Sequence, residues 1–571
     1  PAVVPLQAHG SVDLNGEALT DGELFMHAVD NLHPGQRKRD YAVRKSSELI
    51  NEYPRMRAGQ RFAGEPGDAN HILGAFPWLF PYGLGGFEVD RNINVTYEMH
   101  AKWVLQYDDS RFRRDLYCIF LLFSVIVRRR VASSASMQIN RASFVANQAA
   151  FLQLTPADFL RASEEEAKKL PISNPIIQAL RRQITTVRTR IMGSDESRIA
   201  IRAQVWGMTI RFNPPSIWAT LNLSDTGDPI AQVLAGAEID LDRFVASAGP
   251  MSEARAKTIA QDPFAAAQFF QTTIRVVLEE MLGIKVNARG TIERRPGILG
   301  EVNGYIGTVE AQARGTLHLH ILIWLRGAPV AHVMREALLS EAFRAKMAQF
   351  IRANIRAHVD GTTGDNFLAL PLERNIAYSR PVDPRHPGYA AKAAAAESRI
   401  ARAVQPHNCK THTCLKFKNG KLVCKRRALW ITAPDAWVLP SGDWGPKRLY
   451  SRLNAWNPPL MQVTRCNQDM KMVTNGADTK DITFYITLYI AKRQIQAANQ
   501  SALLAKSLEI KERLDARNAA RNAAQQQSIK DANKRLLQRC TNTLSRQQEF
   551  SAPEIVSYLM GWGDRYIHCG K

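Results

Sequence analysis

The 571-residue sequence predicts an α+β fold in which an antiparallel sheet is flanked by helices. Residues 305–312 and 317–325 are rich in β-branched and apolar residues and are joined by a short link containing Gly315, which is typical of a β-hairpin. Apolar residues recur three to four positions apart within residues 97–193 and again within 263–282, which predicts helices. Together these patterns indicate a globular chain that mixes a sheet with helices.

The charge of the chain indicates what it binds. There are 75 Lys and Arg residues against 53 Asp and Glu residues, a net charge of +22. This excess favours a polyanionic partner such as nucleic acid over a merely basic surface. The longest apolar run, residues 116–127, is too short to cross a bilayer, so we expect a buried helix and no membrane partner. No Gly-x-x-x-x-Gly-Lys-Ser/Thr motif occurs, so no ATPase is predicted.

Changes in composition divide the chain into four predicted regions. Residues 1–95 are rich in Pro and Gly and are expected to be mainly loops. Residues 96–205 are expected to form a helical DNA-binding region, and residues 206–500 to hold the sheet, with a cysteine-rich insertion at about 405–428. Residues 501–571 are predicted to form a basic helical C-terminal arm.

The second strand of the predicted hairpin carries a candidate metal site. Successive side chains of a strand point to opposite faces, so His318 and His320 share one face and can bind one ion. On the preceding strand Glu310 and Gln312 share a parity, and either oxygen side chain fits as a third ligand. Two imidazoles with an oxygen ligand suit Mg²⁺ or Mn²⁺ acting on a phosphate. The alternative is an ordinary polar hairpin at a domain surface.

A pair of tyrosines lies downstream. Tyr485 and Tyr489 are four residues apart in a segment with helical character, so both phenols would point to the same side. A phenol can attack a phosphodiester and form a covalent intermediate when a metal polarises the phosphate. Because the segment is apolar on nearly all sides, the alternative is that both rings are part of a core.

The cysteine-rich insertion predicts a structural zinc site. Cys409, Cys414 and Cys424 are the expected ligands, with His412 or His407 as the fourth. Tetrahedral Zn²⁺ takes four such ligands, and a closed thiolate-rich site leaves no position for substrate. We therefore expect a zinc knuckle without a catalytic role.

Three motifs in order resemble those of rolling-circle HUH endonucleases with two tyrosines: residues 218–222, the His-x-His at 318–320, and the Tyr-x-x-x-Tyr at 485–489. More specifically, residues 307–320 resemble the Rep segment of eukaryotic Helitron transposases. Three further stretches agree with that family in order, namely 103–107, 213–218 and 554–561. The resemblance extends over nearly the whole chain from about residue 75 to residue 564.

The resemblance implies an HUH endonuclease core and a metal-dependent enzyme that nicks single-stranded DNA and transfers the strand through a 5′-phosphotyrosine. His318 and His320 match the metal ligands of that family, and Tyr485 and Tyr489 match its nucleophiles. It also implies single-stranded and transposon-end DNA as partners and a nuclear location. Family members are expected to continue into a superfamily 1 helicase, which this chain lacks, so we expect no helicase activity. Two alternatives are a rolling-circle replication initiator and a catalytically inactive DNA-binding remnant.

Overall fold

The computed structural model describes residues 43–45, 48–50, 71–82, 84–88, 93–243, 249–287, 291–311, 315–364, 366–409, 411, 414–418, 420–424, 428–473, 499–519 and 528–569. The chain divides into two compact units, residues 1–126 and 127–571. Among the described residues, no helix is long and apolar enough to cross a membrane.

The first unit contains a short hairpin followed by helices. Its elements are β1 (Val43–Lys45), β2 (Glu48–Ile50), α1 (His71–Ala75), α2 (Tyr97–Leu105), α3 (Arg111–Arg114) and the start of α4 (Leu116–Gln138). Helix α2 begins where the Thr96 side chain accepts a hydrogen bond from the Met99 backbone amide. The helix predicted at residues 116–127 is present as α4 but continues eleven residues further, and Tyr117 on it is exposed rather than buried.

Helices from distant parts of the sequence form one core in the second unit. They are α5 (Ala142–Val145), α6 (Gln148–Leu152), α7 (Pro156–Ala167), α8 (Pro175–Arg188), α17 (Gln500–Ala519) and α18 (Ile529–Ser545). The fully buried side chains of Phe159, Leu180 and Leu537 meet in this core. A capping box between Thr155 and Asp158 fixes the start of α7. The helices predicted within residues 97–193 and after residue 500 are confirmed where the structure describes them, but Arg565–Cys569 of the predicted helical C-terminal arm form a strand.

A five-stranded antiparallel sheet forms the other half of the second unit. Its strands, in spatial order, are β12 (Asn467–Met472), β3 (Ile217–Asn222), β7 (Leu317–Leu325), β6 (Val302–Ala311) and β13 (Arg565–Cys569). The predicted hairpin is confirmed as β6 and β7, and the sheet also includes a strand from each of two later parts of the chain. The mixture of helices with an antiparallel sheet, predicted from the sequence, is confirmed.

Strand β7 lies at the centre of the sheet and is buried on both faces. On the histidine-bearing face, Leu322 and Trp324 pack against Val205 and Met208 of α9 (Asp195–Phe212). The opposite face is covered by α12 (Pro263–Val276), which confirms the helix predicted at 263–282 and ends in a π-helical turn at Val277–Met281. Two-sided burial makes β7 a rigid support for the polar side chains near its start.

The remaining elements of the second unit connect these layers. They are α10 (Pro229–Leu234), α11 (Ser252–Gln261), β4 (Ile284–Val286), β5 (Ile292–Arg294), α13 (Ala331–Ala337), α14 (Glu341–Asn354), α15 (Tyr389–Val404), β8 (Leu415–Lys418), β9 (Lys421–Cys424), β10 (Trp437–Val438), β11 (Trp444–Gly445), α16 (Pro458–Thr464) and α19 (Ala552–Leu559). The prediction of a single helix at about 333–357 is wrong, because the helix is interrupted between α13 and α14. There the Arg344 guanidinium donates to the carbonyl oxygens of Leu338 and Leu339 at 2.7 and 2.9 Å, which satisfies the backbone at the break.

Candidate metal centre

The antiparallel register of β6 and β7 assembles one of the predicted metal sites. Glu310 is the cross-strand partner of His318, and Thr308 is that of His320. Because side chains two residues apart share a face, Glu310 and both imidazoles project to the same side of the sheet. The carboxylate oxygen Oε2 of Glu310 lies 3.2 Å from Nε2 of His320 and 3.8 Å from Nε2 of His318. One atom from each of the three residues lies within 4.8 Å of the other two.

These separations fit a single bound cation. Adjacent ligand atoms about 2.1 Å from an octahedral ion are about 3 Å apart, so the three side chains could hold one metal ion if the observed spacing closed. The three residues would occupy three positions of such an ion and would leave the others for oxygens of water or substrate. The His318 and His320 side chains are each 7% exposed, whereas Glu310 is 23% exposed. The approach to the site is therefore on the Glu310 side.

The neighbouring strand β3 orients one imidazole. Thr220, the cross-strand partner of His320 on β3, places its Oγ1 atom 3.0 Å from Nδ1 of His320. The indole ring of Trp218 lies nearly parallel to the His320 ring, with centroids 6.3 Å apart. With Nδ1 held by Thr220, the other nitrogen, Nε2, points toward Glu310. A metal bound at Nε2 requires the Nδ1–H tautomer, which donates to the Thr220 hydroxyl.

The last strand of the chain fixes the strand that carries Glu310. The Val309 amide donates to the Asp564 carbonyl at 2.8 Å, immediately before β13 pairs with β6. The Asp564 carboxylate accepts a hydrogen bond from the Tyr558 hydroxyl at 3.1 Å. Burial, together with the nearby carboxylate, raises the pKa of Tyr558 well above its ordinary value, so this phenol remains a donor.

A buried ion pair joins the same C-terminal segment to helix α9. Arg198 of α9 pairs with Glu554 of α19, and both side chains are almost fully buried. Arg565 of β13 donates to the Ser197 hydroxyl of α9 at 3.1 Å. Nothing in the sequence indicates that these residues support the Glu310 strand, since Ser197 and Arg198 lie more than 100 residues before it and Glu554 and Arg565 more than 240 residues after it. Pairing of β13 with β6, together with the contacts of Glu554 and Arg565 with α9, brings them together.

The predicted zinc ligands form a second cluster. Ligand atoms of His407, Cys409, Cys414 and Cys424 lie within 4.8 Å of one another, with Nε2 of His407 3.3 Å from Sγ of Cys424. Burial and the neighbouring thiols raise the pKa of Cys409 to about 11, so a bound metal would displace protons from these thiols. The donor set of one imidazole and three thiols could bind a metal such as zinc.

Four predicted site residues lie outside the described residues. They are the alternative metal ligand Gln312, the alternative zinc ligand His412, and the candidate nucleophiles Tyr485 and Tyr489. Among the described candidates, the structure thus brings together Glu310 with both strand histidines, and His407 with the three cysteines.

Comparison with known proteins identifies the domain that contains the first cluster. The family described as "Helitron helicase-like domain at N-terminus" matches residues 100–323. The match includes β3, β6 and the part of β7 that carries His318 and His320, and it ends before the cysteine cluster. No curated protein matches the chain. Residues 100–323 therefore correspond to a Helitron helicase-like N-terminal domain, and the protein is related to the Helitron transposases.

Proposed function

We propose that this protein is a metal-dependent HUH-type endonuclease that nicks single-stranded DNA and transfers the cut strand, as the endonuclease region of a Helitron-type rolling-circle transposase. The observation that carries the proposal is the Glu310, His318 and His320 cluster within the Helitron-like domain. Two imidazoles and one carboxylate on a rigid strand pair form an open metal site, in which a bound ion would have positions left for oxygen ligands. An open site of this kind suits a phosphate ester better than a closed structural metal site does, because oxygens of the phosphate can bind the ion directly.

In the proposed reaction, Glu310, His318 and His320 hold Mg²⁺ or Mn²⁺, and Thr220 keeps the His320 ring in its binding orientation. When bound, the ion acts as a Lewis acid that withdraws charge from the scissile phosphate. The partly exposed Glu310 side leaves room for the DNA backbone to enter.

The covalent step uses a tyrosine of this chain. The phenolic oxygen of Tyr485 or Tyr489 attacks phosphorus, the bond from phosphorus to O3′ breaks, and O3′ leaves as a hydroxyl after taking a proton. The phenol loses its own proton to solvent, and the product is a 5′-phosphotyrosine. The second tyrosine can then cut or join another strand, so DNA moves without a double-strand break.

The other parts of the proposal follow from charge and composition. The net charge of +22 favours single-stranded and transposon-end DNA as the partner. Action on transposon ends places the protein in the nucleus. The cluster of His407 and three cysteines would hold a structural Zn²⁺, because four protein ligands leave no open position.

The test is a nicking assay on end-labelled single-stranded DNA with Mn²⁺, scored for cut product and for covalent protein–DNA adduct. We expect His320→Ala to lower the nicking rate at least about a hundredfold, since several kcal/mol of charge stabilisation depends on the ion. Phenylalanine at both 485 and 489 should abolish the adduct. Replacing His332, an exposed histidine of α13, by alanine is the matched control and should leave nicking unchanged.

Each part of the proposal can fail separately. Nicking by His320→Ala at the wild-type rate would show that the cluster is not the catalytic metal site. Adducts formed by the double tyrosine variant would show that another group is the nucleophile.

A further inference from the structure

The hairpin that the cysteine cluster holds has an unusual surface. Strands β8 and β9 pair in the register Leu415↔Cys424, Phe417↔Leu422 and Lys418↔Lys421. Phe417 and Leu422 therefore share one face, and both are solvent-exposed, at 74% and 59%. An exposed aromatic ring opposite an exposed leucine is not needed for the fold, because neither side chain is buried in a core.

The other face of the same hairpin is basic. Lys416, Lys418 and Lys421 are all exposed there, and the eight residues of β8 and β9 include no acidic side chain. Lys418 and Lys421 are direct cross-strand partners next to the turn at Gly420, whose φ of 74° is left-handed. Like charges in directly opposite positions destabilise a strand pair. A bound polyanion would relieve this repulsion.

The base of the hairpin is anchored by the candidate zinc ligands. Cys414 immediately precedes β8, and Cys424 is the last residue of β9. A two-stranded hairpin is at best marginally stable by itself. Ligands on both strands at the base of the hairpin would hold the two strands together, so that the apolar and basic faces are presented to solvent together.

We propose that the β8–β9 hairpin is a binding element for unpaired DNA bases, in which Phe417 stacks on a base while Lys418 and Lys421 contact the adjacent phosphates. Single-stranded nucleic acid is the partner that combines an exposed flat apolar ring with closely spaced negative charge. A duplex offers the phosphates, but its bases are already stacked on one another. A protein partner would match the apolar face but would not by itself account for three exposed lysines.

This inference relies on the proposed function for its DNA partner, but its test is independent of nicking. Binding of a fluorescein-labelled oligothymidylate is measured by anisotropy on the full chain with its zinc retained and without added Mg²⁺ or Mn²⁺. Phe417→Ala should raise Kd about 5- to 100-fold, the loss expected for one stacked base. Phe417→Trp should restore wild-type binding, since indole stacks as well. Leu339→Ala removes another exposed apolar side chain, 72% exposed, and should leave Kd unchanged.

The lysines have a separate readout. Lys418→Ala and Lys421→Ala should each lower the slope of log Kd against log salt concentration by about 0.7, the value for one phosphate contact on a single strand. Replacing Lys257, an exposed lysine of α11, by alanine is the control.

The proposal is overturned if Phe417→Ala binds the oligothymidylate as wild type does, or if it weakens a duplex of equal length to the same degree. Failure of the proposed function appears differently. In that case the wild-type chain does not nick, while Phe417-dependent binding of single strands persists.

Discussion

The hydrogen bond between the Thr220 hydroxyl and Nδ1 of His320 provides a sharp test of the metal centre. Replacing Thr220 by valine keeps the shape of the side chain but removes the hydroxyl that lies 3.0 Å from Nδ1 of His320. Both residues are buried, with relative exposures of 7% and 5%, so water does not readily replace the hydroxyl. Losing a partner for a buried polar group costs about 1–3 kcal/mol.

That cost applies to the metal-bound state, because an ion at Nε2 requires the hydrogen on Nδ1. It corresponds to a loss of about 5- to 150-fold in affinity. Residues that orient metal-binding histidines typically contribute about 10- to 100-fold. We therefore expect Thr220→Val to raise the Kd for Mn²⁺ about 10- to 100-fold, measured from the electron paramagnetic resonance signal of free Mn²⁺ during titration. Nicking by this variant should recover at high Mn²⁺, since all three ligands remain.

Thr308 offers a matched control. It is the cross-strand partner of His320 on the opposite side, it is also buried, and no hydrogen bond between its hydroxyl and His320 occurs in the described part of the chain. Thr308→Val should leave the Mn²⁺ affinity within about twofold of wild type, well inside the loss expected for an orienting residue. Equal losses in the two variants, or no loss in Thr220→Val, would refute the orienting role of Thr220.

Two further predictions concern parts of the second unit that support the site. Glu554→Ala leaves the buried guanidinium of Arg198 without its ion-pair partner, so we expect the free energy of unfolding to fall by about 3–5 kcal/mol in chemical denaturation. Cys424→Ser removes one thiolate from the candidate zinc cluster, so the chain should lose about one equivalent of bound zinc by elemental analysis and its β8–β9 hairpin should become protease-sensitive.

Both predictions have controls in the same unit. The ion pair of Arg513 with Glu509 is exposed, so Glu509→Ala should change stability by less than about 0.5 kcal/mol. Cys540 is fully buried among helices and outside the cysteine cluster, so Cys540→Ala should retain zinc. A Glu554→Ala variant as stable as wild type, or a Cys424→Ser variant with full zinc content, would contradict the respective prediction.

Local patterns were sufficient to predict the hairpin of β6 and β7. A strand repeats every two residues, so the parity of His318, His320 and Glu310 follows from sequence alone, and the short link sets which residues face one another. The spacing of the cysteines likewise anticipated their cluster, with His407 now seen beside them. In each case the residues that meet are close in sequence.

The edges of the sheet could not be predicted in this way. Strand β12 has the sequence Asn-Gln-Asp-Met-Lys-Met, which lacks the β-branched and aromatic residues typical of strands. It is a strand because it pairs with β3 across more than 240 residues of sequence. The break between α13 and α14 was missed for a related reason, since the apolar spacing continues past Leu338 while a side chain from the next helix satisfies the interrupted backbone.

The distribution of these strands shows that the structural unit of the site is larger than the matched Helitron-like domain. The match ends at residue 323, inside β7, whereas β12 and β13 follow it in the chain. Strand β12 pairs with β3, which holds Thr220, and β13 pairs with β6, which holds Glu310. A fragment ending at residue 323 would leave β3 and β6 as open edges with unsatisfied backbone groups. The geometry of Glu310, His318 and His320 therefore depends on residues as far along the chain as 564–569.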